Sequence, residues 1–412
     1  MTDDPMPPPP TVGQRIRMLR LRRGMSQEVL AGLVGKSVSW MKGVESGRLQ
    51  SQPRLSILLL LAEALQVRDL SELTGSRSVP VRMFGGPGHA ALASVRDAIN
   101  ATPLAVGIPQ GTVQPLSVLR GRLDAAWRTR HTSPDHRTAL ARLLPDLLRD
   151  AQLAVHLRQG DERRRANALL AQTYGLTQMY VAYQPAQELV WRVADRALTA
   201  AQESGDPLAL SCAVWFLVQA HRESGDYTAA RSINEQAMAA LEPHLSEGGV
   251  DLLAMWGALT FELGFTAARA GDAGEAWMHW DEAGRVADRL PGDYYQPWTS
   301  FSRVIMKAHA VTVAVELRQG GESARQAGNA ESVPIPSRPR RGRHLIEVAR
   351  AHHLRRDQPA VLGALQLAQQ AAPETVMYNG FARRMALELA ESGPSHLRTQ
   401  ARDLADEIGL TV

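Results

Sequence analysis

The chain has 412 residues, a formal net charge of +4 and a single cysteine. That length calls for more than one hydrophobic core, and one cysteine excludes an intrachain disulfide and suits a reducing compartment. Residues 1–77 hold eleven Lys and Arg against seven Asp and Glu, which leaves 35 of each sign in residues 78–412. The excess therefore lies at the amino-terminal end, where a polyanion would be met.

The opening MTDDPMPPPP is acidic and proline-rich and lacks a signal-peptide pattern, so residues 1–10 are expected to be a disordered tail. A first helix is expected from about Val12 to Arg23, burying Ile16, Leu19 and Met18. Ser26 is placed to cap a second helix, with Val29, Leu30 and Leu33 as its apolar face. Ser37 caps a third, whose Met41 and Val44 share one side while Val38, Ser39 and Lys42 share the other. Gly47 ends it with a residue that tolerates left-handed backbone. A leucine-rich fourth helix follows Pro53, and Asp69 caps a short fifth. No uninterrupted apolar run, Ile57–Ala62 included, is long enough to span a bilayer, so a cytoplasmic protein with no membrane partner is expected.

From Thr11 to Leu73 the order of Arg20, Gly24, Ser26-Gln27, Leu30-Ala31, Gly35, Glu45, Gly47 and a closing Leu-x-x-Leu-Ala-x-x-Leu helix resembles the Cro-type, phage-repressor-like helix-turn-helix domains of the XRE family. The resemblance implies a five-helix domain over residues 11–75 that binds double-stranded DNA. It implies that Arg20 pairs with Glu45, that Gln27 and Arg48 meet phosphates, and that Val38, Ser39, Lys42 and Gly43 face base edges. Ser39 suits almost any edge, Lys42 guanine and Val38 a thymine methyl. Two positions depart from the family pattern. Lys36 stands where an apolar turn residue is usual and would point to solvent or a phosphate, and Gly43 offers no side chain for reading. Trp40 is expected to pack beside Val44, with a DNA contact as the alternative.

Residues 76–115 read as a Gly/Pro-rich linker with one helix near Ala90–Asn100. From Leu116 onward Ala, Leu and Arg recur at helical spacing, and similar segments can be aligned at 174–201, 214–241, 260–287 and 345–373, with a degenerate copy around 304–330. Their small residues Ala197, Ala237, Ala283 and Ala368 fall at matching places. These segments resemble tetratricopeptide repeats, and residues 116–412 are assigned to an α-solenoid of that kind. The whole is thus all-α and resembles actinobacterial regulators with a helix-turn-helix followed by a tetratricopeptide-like domain.

No catalytic constellation stands out. His352-His353 and His131/His136 lack partner ligands at a recognised metal spacing, and Cys212 lies in an apolar segment. No enzyme activity, metal or cofactor is expected. Sixteen of the 21 aromatic residues fall between Tyr174 and Phe301. In the repeat register a concave groove would be lined by Met179, Trp215, Gln219, Arg222, Phe261, Phe265 and Arg350, with Arg222 placed to take a carboxylate. The expected function is a dimeric transcriptional regulator whose repeat domain senses a peptide or small molecule. The alternative is a scaffold whose repeat domain recruits a partner protein to DNA.

Overall fold

The structure, a computed structural model, describes residues 10–49, 53–65, 67, 69–75, 88–101, 113–330 and 333–410. The expected disordered tail and most of the expected linker lie outside them. Among the described residues the regular elements are helices and there is no strand. The chain divides into two compact units, residues 1–87 with 378–412 and residues 88–377.

The first unit begins with α1 (Val12–Arg22), α2 (Gln27–Leu33), α3 (Val38–Glu45), α4 (Leu55–Ala64) and α5 (Ser71–Thr74). Thr11 and Gln14 form a reciprocal capping box at the start of α1. The hydroxyls of Ser26 and Ser37 each accept a backbone N–H at 3.1 Å and so start α2 and α3. Close approach of α1 to α3 depends on Gly13, where a Cβ would lie 2.0 Å from the carbonyl oxygen of Val44. Burial differs from the expected faces at three apolar positions. Met18, Val29 and Leu33 are exposed, and the core keeps the expected Ile16 and Leu30 and adds Ala31 and Val34. The reason is that α2 turns its Leu30 edge inward and contacts both α3 and α4 with that one edge.

The second unit holds α6 (Leu92–Asn100), α7 (Leu116–Thr132), α8 (His136–Leu157), α9 (Gly160–Val181), α10 (Gln187–Ser204), α11 (Pro207–Glu223), α12 (Tyr227–Leu241), α13 (Gly249–Ala270), α14 (Ala273–Ala287), α15 (Ile305–Glu316), α16 (Gly320–Asn329), α17 (Arg338–Leu354), α18 (Gln358–Ala371) and α19 (Pro373–Tyr378). The repeats are the helix pairs α9/α10, α11/α12, α13/α14, α15/α16 and α17/α18, and their first helices adjoin one another in succession. The aligned alanines are buried where helices approach closely. At Gly264 a Cβ would come within 2.9 Å of the α14 backbone. The helix expected within a linker, α6, packs on α8 with Val95 and Ile99 fully buried, because these two residues four apart give it an apolar stripe. By length and composition alone α13 could cross a membrane, yet 72% of its most apolar window is buried among neighbouring helices.

The ends of this unit meet. Helix α7 adjoins α17, and His131 bridges to Ser337 Oγ at 2.8 Å and to the carbonyl of Pro297 at 2.7 Å. The Glu374 carboxylate, on α19, accepts from the backbone N–H groups of Arg137 and Thr138 and from the Thr138 hydroxyl at the start of α8. A carboxylate there satisfies unpaired donors and meets the positive end of the helix dipole.

Two further helices, α20 (Gly380–Ser392) and α21 (Ser395–Glu407), pack on each other and belong to the first unit, whereas the sequence reading assigned all of residues 116–412 to the repeats. Arg384 pairs with Glu63 of α4, and Arg54 donates to Ser392. The leucine-rich α4 thus adjoins helices from the far end of the chain.

Candidate functional site

Two regions carry the chemistry. In the first unit, the side chains of Met41, Val44 and Glu45 hold α3 down, with at most 6% exposure. Their spacing leaves Ser39 and Lys42 exposed and Val38 and Trp40 half-buried on the remaining surface. Lys36 is half-buried just before the helix, and Arg48 is exposed just after it. Gly43 is not open to a base edge, because the Leu49 side chain lies 3.0 Å from where its Cβ would be.

Beneath this surface the Arg20 guanidinium meets Glu45 in a bidentate pair, Nε to Oε1 at 2.6 Å and Nη2 to Oε2 at 2.9 Å, and also donates to the carbonyl of Met25. Gln27, expected at a phosphate, donates to Glu45 Oε2 at 2.7 Å instead. Burial pushes the Glu45 carboxyl upward, but hydrogen bonds from Arg20 and Gln27 and the charges of Arg20 and Arg17 outweigh it, so the group stays below its ordinary value. The pair ties α1 to the helix that presents Ser39 and Lys42.

In the second unit, the first helices of the pairs share a continuous chain of alternating charge. Glu262 of α13 pairs with Arg222 of α11. Arg222 and Arg269 both reach Glu223, at 3.5 and 3.9 Å. Arg269 and Arg350 share Glu316 at 3.6 and 2.7 Å, and Arg350 and Arg343 share Glu347 at 2.7 Å each. Four arginines thus alternate with four glutamates across α11, α13, α15 and α17, and their charges cancel. Burial opposes ionisation of Glu316, but Arg350 and Arg269 hold its carboxyl below the ordinary range.

The groove residues expected from the sequence separate into three kinds. Trp215 and Phe261 are buried, packed against Phe216 and stacked on His309, and so belong to the repeat core. Arg222 is buried on Glu262 and lies 4.0 Å over the Phe265 ring, and Arg350 is held by Glu316 and Glu347, so each already has a carboxylate within the chain. Gln219, Phe265 and Met179 are half-buried, and the Met179 sulfur lies 3.2 Å from Arg130 Nη2.

The helix-turn-helix domain family matches residues 11–73. Residues 11–73 are a helix-turn-helix domain. The chain is similar to the Bacillus thuringiensis protein PlcR, solved in complex with the peptide PapR7 and DNA, with 14% identity and a TM-score of 0.34 over 78% of this chain and 93% of that one. It is similar also to the apo form of the competence regulator ComR from Streptococcus vestibularis, with 16% identity and a TM-score of 0.29 over 74% of this chain and 97% of that one. Likeness at this level leaves the rest of the fold to stand on the chain's own geometry. No curated protein matches the sequence.

Outside the helix-turn-helix domain, sequence reasoning missed the glutamates that neutralise the interior arginines, and with them Arg130, Arg340 and Tyr295. One signal was available. Arg340, Arg343, Glu347 and Arg350 follow one another at intervals of three, four and three along α17, which puts them on one helix face.

Proposed function

We propose that the chain is a transcriptional regulator that binds duplex DNA through α3 and senses an effector in its helical-repeat unit. The observation that carries this reading is α3 itself, pinned by Met41, Val44 and the Arg20–Glu45 pair while Ser39 and Lys42 stay exposed. A helix so held enters the major groove and reads base edges with its outward residues. Of the expected contacts, Ser39 and Lys42 serve as readers, Val38 and Trp40 lie at the edge of the read surface, and Lys36 and Arg48 meet phosphates. Gln27 and Gly43 act indirectly, one bracing Glu45 and the other admitting Leu49. The working form is a dimer on two half-sites about 34 Å apart, one turn of the duplex. The effector is a peptide or small molecule that alters DNA affinity by binding the repeat unit differently in the two states.

The test is selection of binding sites from random duplexes with the full-length protein, followed by the same selection with Lys42→Ala. A paired-site consensus that loses preference at one or two bases in the variant supports the reading. Binding with no consensus, or a consensus unchanged by the substitution, rejects α3 as the reader.

A further inference from the structure

The neutral chain of charges along the inner helices ends at Arg343, and beyond it stand two guanidinium groups that it does not balance. Arg340 lies one helical turn before Arg343, and Arg130 lies on α7. Neither has a carboxylate within ion-pairing distance among the described residues. Arg340 Nη2 contacts only His309 Nδ1, at 3.0 Å, and its enclosed Nε has no hydrogen-bond partner. Among the described residues Arg130 Nη2 contacts the Met179 sulfur, and its guanidinium lies over the Trp127 ring.

The His131 bridge to Ser337 and Pro297 brings these two arginines to the connection between α14 and α15, which carries Tyr295. The phenolic oxygen is enclosed and lacks a hydrogen bond of normal geometry, with Ser300 and Ser337 beside it. Both arginines are close enough to act electrostatically on that hydroxyl. All three residues are half-buried, with the Tyr295 oxygen and Arg340 Nε enclosed. Burial raises the Tyr295 hydroxyl above its ordinary value, so it stays protonated and remains a donor. The histidines nearby add no charge. Burial, followed by the field of Arg340, pushes His344 down to about 4 and His309 well below its ordinary value.

Two half-buried cations with no carboxylate at ion-pairing distance among the described residues, beside a phenolic hydroxyl that only the Ser300 and Ser337 hydroxyls approach, are expensive to keep unless something binds them. We propose that Arg130, Arg340 and the Tyr295 hydroxyl bind an oxyanion group, a carboxylate or a phosphate, of the effector. This rests on the effector-sensing reading above and supplies its chemical class. Guanidinium forks and a phenolic donor suit oxygens of either group.

The experiment follows thermal unfolding of the full-length protein in sodium phosphate, sodium acetate and sodium chloride at matched ionic strength, without DNA. A ligand that binds only the native state raises the midpoint in a saturable way. Phosphate or acetate should raise it above chloride, and which of them does so identifies the group. Arg340→Met and Tyr295→Phe should each weaken the effect about tenfold or more, the loss expected for a charge-assisted hydrogen bond. Without anion, Arg340→Met should leave the midpoint unchanged or higher, because it removes an uncompensated cation. No shift beyond chloride, or a shift that survives in both variants, overturns the site. DNA binding is measured separately on the same samples. Intact DNA binding without an anion response rejects only the site, and an anion response without DNA binding rejects only the regulator reading.

Discussion

Arg20→Ala removes three hydrogen bonds at once, two to Glu45 and one to the carbonyl of Met25. Glu45 is then left in a buried position with Gln27 as its remaining side-chain donor. Breaking a buried ion pair from one side costs about 3–5 kcal/mol, and the surviving Gln27 bond puts this case near 3. That is a large fraction of the stability of a small domain. The loss should also depend on pH. In the native protein Glu45 is held below its ordinary value, so its contribution is present above the unfolded-state value of about 4.3 and is lost as pH falls through the folded one. Without Arg20, burial is opposed only by Gln27 and Arg17, so the carboxyl rises from its native position and the variant loses less than the native protein as pH falls. The gap between the two proteins should therefore be widest near neutrality and shrink toward pH 4. Amide hydrogen exchange of α1–α3 reads this locally, where global melting of a two-unit chain would not. A double-mutant cycle with Glu45→Gln isolates the coupling. Additive losses, a cost below about 0.5 kcal/mol as at ordinary surface sites, or a gap independent of pH would each refute the reasoning.

Gly13→Ala should destabilise the same domain by at least about 1–3 kcal/mol, because its methyl would meet the Val44 carbonyl 2.0 Å away; α1 and α3 exchange rates report it. Arg48→Ala should weaken binding to every DNA sequence to a similar degree and reduce the salt slope by about one, as titrations at several salt concentrations would show. Arg222→Met should cost about 3–5 kcal/mol by stranding Glu262, and adding Glu262→Leu should recover much of it in denaturant unfolding. A chain ending at Met377 loses α20 and α21, so the amides of α4 should exchange faster than in the full-length protein.

The helix pairs of the second unit were legible because each repeat places small residues and turn signals at similar offsets, and burial of Ala197, Ala237, Ala283 and Ala368 follows from that spacing. Helix starts were legible at Ser26 and Ser37 for a local reason, the reach of a hydroxyl to the third amide onward. Faces were harder. Val29 and Leu33 have the composition of a core edge, but which edge of α2 turns inward is set by α3 and α4, not by α2 itself. The cover of Gly43 by Leu49 escaped notice because a loop residue has no periodicity to place it. The interior charges escaped for a related reason. Arg222 and Glu262 lie 40 positions apart, and only the stacking of α11 on α13 makes them neighbours. A lone arginine with a carboxylate looks the same in sequence as one without, so Arg222 stood out by its place in the repeat register and its partner Glu262 did not.

The contact of Glu374 with the start of α8 has a consequence for how the second unit comes together. In an open array each helix pair needs only its neighbour, so folding can begin anywhere and the ends fray first. Here Glu374 Oε1 meets the Thr138 hydroxyl at 2.6 Å across 236 positions of sequence, which joins the first helices to the last. Closing so long a loop costs entropy that no local contact repays, and it delays the final step of assembly. Once made, the closure removes the free ends from which unravelling would start. The unit should then lose its structure as one body, with slow acquisition and slow loss, rather than pair by pair from either terminus.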